Sequence, residues 1–288
     1  MDITARLVSS FTLNGSGGNP AGVVLSADDL TDAQKLSIAQ IIGFSETAFV
    51  AKDNDADFGV SFFTTTGEVD FCGHATLAVF STLFSEGIIS AGKYTQKTKA
   101  GLLGVEVEQN GHVVMQQQSP SFLGQFEYSD IAPLLGLDTH VLAQTGLPIV
   151  AVSTGLPDVI VPVPTGILDI INTNDDKLSA FSAQQEVMGV HAFEFCEKGS
   201  EFTASCRNFA PLLGITEESA TGSASGALAS YLAKYTSNDL ASQYVFEQGR
   251  AMNCASKISA AIEYDELNTP RVKVGGFAKQ IGQQTVTI

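Results

Sequence analysis

Three side chains that could move protons stand near predicted turns in the first third of the chain: Glu46 in GFSETAFV, and Cys72 and His74 in DFCGHATLA. Glu46 follows a predicted helix end and is flanked by Phe44, Ala48 and Phe49. Apolar surroundings disfavour a charged carboxylate and raise its pKa toward neutrality, where a proton-transferring acid/base works best. A glutamate so placed is more commonly a cap or an exposed strand edge, so both readings stand. His74 falls in the first turn of the next predicted helix. The helix dipole there favours a neutral imidazole, able to bond a substrate or a neighbouring acid as readily as to serve the fold. Cys72 immediately precedes that helix, where backbone N–H groups would stabilise a thiolate; packing or an auxiliary role fits it better than nucleophilic work. His112, His140 and His191 have no ligand-type spacing with His74, and no metal site is expected.

The turn that carries Cys72 and His74 occurs twice. FFTTTGEVDFCGHATLAVFSTLF at residues 62–84 recurs as CRNFAPLLGITEESATGSASGALASYL at residues 206–232. The comparison sets Cys72, Gly73, His74 and Ala75 against Thr221, Gly222, Ser223 and Ala224. Each copy predicts a helix N-terminus with free N–H groups, and a pair of them makes a clamp for a small anion. Glu217 and Glu218 lie just before the second turn. Acids there are ordinary dipole partners, but Glu218 is near enough to approach a ligand held by Gly222 and Ser223. The Gly18, Asn19, Pro20 turn places Asn19 as a further ligand contact. Thr221, where the first copy has Cys72, offers no base, which counts against chemistry needing one thiol on each side of a substrate.

The elements that must position these residues read as strands interrupted by helices. Strands are expected at ITARLVSSFT, AGVVLS, ETAFVAK, FGVSFFTTT and GLLGVEVEQN. A helix begins at the N-cap Thr31 and ends at Gly43, and another follows Gly73. The order then restarts: strands in IVAVSTGLPDVIVPVP, a helix at SAFSAQQEVMGV, and a hairpin from HAFEFCEKG and EFTASCRNFA. After the second turn and helix come strands at SQYVFEQGR, SKISAAIEY, PRVKVGG and QQTVTI. This predicts an α+β protein of two pseudo-symmetric halves, each a curved mixed sheet wrapped around a central apolar helix, with a ligand cleft between them. The first half is expected at 1–118, completed by the strand at 277–288, and the second at 119–276.

The 288 residues carry a net charge of −16, with 44% hydrophobic and 16% charged residues. That composition suits a compact, soluble chain, and its charge excludes nucleic acid and anionic membranes as expected partners. Prolines and Asp158 break the most apolar stretch, Leu147 to Val163, too often for a membrane helix. Four dispersed cysteines suit a reducing compartment, and cytoplasm is the expectation.

GNPAGVVL, SETAFV, EVDFCGHATLA, ATGSASGALASYL and EQGR, in this order along the whole chain, resemble the PhzF-like family, named for the phenazine biosynthesis isomerase. The resemblance implies a diaminopimelate epimerase-like fold, a cytoplasmic homodimer and no metal or organic cofactor. It also implies isomerisation of a small carboxylate-bearing substrate by glutamate acid/base catalysis. It matches Glu46 to the family's acid/base glutamate, His74 to its active-site histidine, Glu218 to its aspartate and Ser223 to a substrate-binding serine; the turns themselves add Asn19, Gly73, Ala75 and Gly222 as expected substrate contacts beside His74 and Ser223. Two departures stand out. The family's EDPATGSA reads EESATGSA here, with Glu218 for the aspartate and Ser219 for the proline; and NCAS (253–256) replaces a GRPS-like segment. The alternatives are an amino-acid racemase or epimerase and a catalytically silent small-molecule-binding homologue.

Overall fold

The computed structural model describes residues 1–236 and 242–288. They form two compact units: residues 1–116 with 275–288, and residues 117–274.

In the first unit β1 (Asp2–Ser10) pairs antiparallel with β2 (Asn19–Val24), and α1 (Asp32–Ile42) crosses to β3 (Thr47–Ala51), which lies parallel to β2. Strand β4 (Phe58–Phe63) returns antiparallel, and the short β5 (Glu68–Val69) leads into α2 (Gly73–Ser85). Then β6 (Gly92–Thr98) runs parallel to β4, followed by the antiparallel β7 (Gly101–Val107) and β8 (Val113–Gln116).

The second unit opens with β9 (Ser121–Phe126) and two short helices, α3 (Tyr128–Ile131) and α4 (Thr139–Ala143). It then repeats the order and pairing of the first. Strands β10 (Ile149–Ser153) and β11 (Pro157–Pro162) are antiparallel, α5 (Asp175–Gln185) crosses over, and β12 (Gly189–Phe195) is parallel to β11. Strands β13 (Ala204–Ala210) and β14 (Ile215–Glu218) precede α6 (Gly222–Tyr235), and β15 (Ser242–Gln248) lies parallel to β13. Then come β16 (Ser256–Tyr264), antiparallel to β15, and β17 (Pro270–Gly276). The last strand, β18 (Ala278–Thr287), joins the first unit antiparallel to β1.

Both central helices are apolar on all sides, as a helix surrounded by sheet must be. Leu77, Ala78, Val79 and Phe80 of α2 are all buried, and the helix packs against β1, β2, β3, β7, β8 and β18. On α6, Ala227, Leu228, Ala229, Tyr231 and Leu232 are buried against β10, β11, β15 and β16. Gly226 permits that approach, since a Cβ there would lie 2.9 Å from Thr154 Oγ1. The outer face of each sheet has its own core. Ala5, Val24, Ile38, Phe49 and Phe63 pack under α1. Val159, Val161, Val190, Ala192 and Phe209 pack with Leu178 of α5. At about 1.5–3 kcal/mol for each large apolar side chain buried, these layers fix the sheet registers that position the polar residues.

Helix α1 matches its expected limits because its signals are local. Thr31 and Gln34 form a reciprocal capping box, and Gly43 ends the helix at φ 74°. The expected helix at residues 179–190 is corrected to Asp175–Gln185. Asn174 caps it by accepting from the Lys177 N–H at 3.1 Å, Glu186 ends it in a left-handed conformation, and Val190 belongs to β12. All four cysteines are free, and no helix among the described residues is long and apolar enough to cross a membrane.

Candidate active site

Three chain segments of the first unit converge on the His74 imidazole. The β1–β2 turn passes through Gly18 at φ 83°, where a Cβ would stand 2.3 Å from the Ser10 carbonyl oxygen. Only glycine serves there, and it delivers Asn19 as the first, buried residue of β2. Glu46 sits at the α1–β3 junction, its carbonyl accepting from the Gly22 N–H at 3.1 Å. His74 is the second residue of α2 and only 6% exposed, and its carbonyl accepts from Ser10 Oγ at 2.6 Å.

Around the ring, Nε2 lies 3.3 Å from Glu46 Oε2, while Nδ1 lies 3.4 Å from Cys72 Sγ and 3.5 Å from Asn19 Nδ2. An amide donating to Nδ1 leaves the ring proton on Nε2, on the Glu46 side. The Glu46 contact is close without hydrogen-bond alignment, so Oε2 is a buried oxygen with no donor. That oxygen is available to a proton from elsewhere. Glu46, Cys72 and His74 also offer ligand atoms that all lie within 4.8 Å of one another. The carboxylate, thiol and imidazole of this set suit zinc as well as a proton relay.

In the second unit the matching turn is built differently. Cys72 and Thr221 are the N-cap residues of α2 and α6, and neither side chain caps its helix. Thr221 Oγ1 instead donates to Glu218 Oε2 at 2.6 Å and accepts from Gln248 Nε2 at 3.0 Å. The same amide closes the turn: Nε2 also donates to the Glu218 carbonyl at 2.7 Å, and Oε1 accepts from the Thr221 N–H at 3.1 Å. The two departures noted in the sequence meet here, because Ser256 Oγ of NCAS donates to the Ser219 carbonyl at 2.9 Å. Gly222 is buried and Ser223 half-buried; the Ser223 carbonyl accepts from Thr154 Oγ1 at 3.2 Å. Glu217 faces the other way, in a two-bond fork with Arg207 at 2.9 and 2.7 Å. Arg250 of EQGR is likewise structural, tying Glu194, Asp169, Glu247 and Ser205 together.

The phenazine biosynthesis-like protein family model matches residues 8–282. The chain belongs to this family. It is 34% identical to an uncharacterized isomerase, YfhB, of Bacillus subtilis (strain 168), over 89% of each chain. It is 29% identical to the trans-2,3-dihydro-3-hydroxyanthranilate isomerase of Pseudomonas chlororaphis, over 98% of each. The PhzF-family phenazine biosynthesis protein of Bacillus anthracis superposes with a TM-score of 0.91 at 29% identity, covering all of both chains. The protein is therefore an isomerase of the PhzF type with the diaminopimelate epimerase-like fold.

Sequence reasoning missed three polar residues of this PhzF-family member. Asp158, His191 and Asn208 are 2%, 0% and 2% exposed on adjacent strands of the second unit. Burial, and then the charge of Glu218, push the Asp158 carboxyl up to about 7. Burial pushes His191 down to about 4, against a smaller opposing effect of Asn208, whose Oδ1 lies 3.0 Å from His191 Nδ1. The available signal was a lone acid inside an otherwise apolar strand run, IVAVSTGLPDVIVPVP, where Asp158 had served only as a break in hydrophobicity.

Proposed function

We propose that this protein is a cofactor-independent isomerase that moves a proton on a small carboxylate-bearing substrate, with Glu46 as the acid/base shuttle. The observation that carries this reading is Glu46 Oε2: buried, without a hydrogen-bond donor, and 3.3 Å from His74 Nε2. A carboxylate oxygen left without a partner has its lone pairs free to take a proton, and a nearby imidazole can orient or relay it. Asn19 and Cys72 hold the ring, which makes His74 an orienting group and Cys72 an auxiliary one. Within the first unit the N–H groups of residues 73–75 are proposed as anion donors; within the second, those of residues 222–224 are, with Ser223 Oγ assisting.

Glu218 is the proposed second acid, held by Thr221 and Gln248. Its extra methylene relative to the family aspartate shifts the carboxylate by about one bond length, enough to matter where geometry is held to about 0.5 Å. A substrate altered from that of the phenazine enzymes fits this change. The Thr221 hydroxyl, engaged with Glu218 and Gln248, is no base, which weighs against a two-base racemase.

The test uses trans-2,3-dihydro-3-hydroxyanthranilate and a panel of small cyclic and acyclic carboxylates in deuterated buffer. The wild-type protein exchanges one carbon-bound hydrogen of its substrate with solvent. Glu46→Gln is expected to bind the same compound and to lose exchange by at least about a hundredfold. Exchange that persists in Glu46→Gln overturns the assignment.

A further inference from the structure

The register of the second unit places four polar side chains on one face of its sheet. Asp158 of β11 is opposite Gly189 of β12, and His191 lies two residues further along the same strand. His191 is opposite Asn208 of β13, and Asn208 is opposite Glu218 of β14. Residues opposite one another, or two apart on one strand, share a face. Phe193, again two residues on, packs edge-on against Tyr231 of α6 with ring centroids 5.8 Å apart, so this is the face that α6 covers. The opposite face holds Val159, Val161, Val190 and Phe209 in the apolar core. A buried polar row therefore leads from Asp158 toward Glu218 beneath the central helix.

Its members are satisfied unequally. His191 is bonded to Asn208. Glu218 accepts a hydroxyl hydrogen bond from Thr221, an arrangement that holds its Oε2 as an acceptor. Asp158 Oδ1 is buried with no partner at all. The charge of Glu218 reaches Asp158 along this row, and in a dry site an ionised carboxylate makes a second carboxyl hold its proton more tightly, most of all where that carboxyl lacks donors.

We infer that Asp158 is a positioning residue for Glu218: it carries the proton of a carboxyl pair, so that Glu218 is the ionised member and the second unit presents one negative charge rather than two. The inference rests on the reading of Glu218 as part of a carboxylate-binding isomerase site. A second negative charge would repel the substrate carboxylate. Other titratable groups are set apart from the pair. On the shared face His191 and Cys206 are neutral, the former held so by burial and the latter with its thiol pushed upward by burial. Glu217 and Arg207 neutralise one another on the opposite face. On α6, Tyr231 bonds the Pro148 carbonyl, and Lys234 stands over the Phe122 ring in the helix's last turn. Strand β10 has no titratable side chain.

The experiment is a pH titration of the Asp158 carboxyl by 13C NMR in the intact chain, assigned through bonds from the Val159 amide. No substrate or turnover is needed, so its outcome is independent of the Glu46 exchange test. The resonance is expected to titrate near neutrality in the wild-type protein. In Glu218→Gln the midpoint should fall by at least roughly half a unit, and in Glu218→Asp, which withdraws the charge by one methylene, by less. A purely structural aspartate would be indifferent to both changes. A midpoint in the ordinary aspartate range, or one that neither Glu218 variant moves, overturns the inference.

Discussion

Replacing Asp158 and His191 separately with asparagine should tilt the pH dependence of stability in opposite directions. His191 sits at about 4 in the folded protein against 6.5 for a free histidine. The fold refuses a proton that the unfolded chain accepts, so stability is lost as pH falls below 6.5 toward 4. Asp158 sits at about 7 against 3.8. The fold keeps a proton that the unfolded chain has released, so its contribution is complete below 3.8 and is lost as pH rises through 7. At about 1.4 kcal/mol per pKa unit, His191 makes stability rise by about 2 kcal/mol from about pH 5 to about pH 8, and Asp158 makes it fall by about 3 kcal/mol. The two nearly cancel in the native chain. Asp158→Asn keeps a neutral side chain and unmasks the histidine, so stability should climb by about 2 kcal/mol across that range. His191→Asn, whose amide can still donate to Asn208, unmasks the aspartate, and stability should drop by about 3 kcal/mol. Urea unfolding followed by far-ultraviolet circular dichroism at fixed ionic strength measures both slopes. Curves that run parallel to the native one in either variant would refute the reasoning for that residue.

Two further outcomes follow from the geometry. Glu217→Gln leaves the buried Arg207 guanidinium short of its counter-charge and should cost about 3 kcal/mol in urea unfolding, while the Asp158 resonance keeps its neutral midpoint because Glu217 is on the other face. Micromolar zinc, drawn to the Glu46, Cys72 and His74 donors, should inhibit hydrogen exchange by occupying the oxygen the shuttle needs, with chelator restoring it; stimulation by zinc would contradict a proton-relay role for Glu46.

What could be read in the sequence depended on how local its cause is. Thr31, Gln34 and Gly43 announce α1 because the capping box and the left-handed end are made within one helical turn. The limits of SKISAAIEY and PRVKVGG coincide with β16 and β17, since alternation of buried positions is written directly in a strand. Strand β6 escaped because GKYTQKT is polar on both faces and draws its order from pairing with β4 and β7. At the site, Glu46, His74 and Asn19 were singled out by motif, but their meeting depends on β2–β3 register and on α2 entering the sheet, neither of which spacing reveals. Asp158 is the sharper case. Its neighbours in the chain are apolar, and its chemistry comes from residues on three other strands.

The two units use one scaffold for unlike chemistry. The same hairpin, crossover helix, hairpin and central helix occur in both, yet the N-cap is a thiol in one and a hydroxyl in the other. Among the described residues, each unit also leaves one carboxyl oxygen buried and unpartnered: Glu46 Oε2 in the first, Asp158 Oδ1 in the second. Such a group costs about 1–3 kcal/mol and returns nothing to the fold. Sites where a protein breaks a folding rule without local compensation are where function is to be sought. On the proposed reading, the first unit keeps an oxygen ready for a proton and the second keeps a proton in reserve.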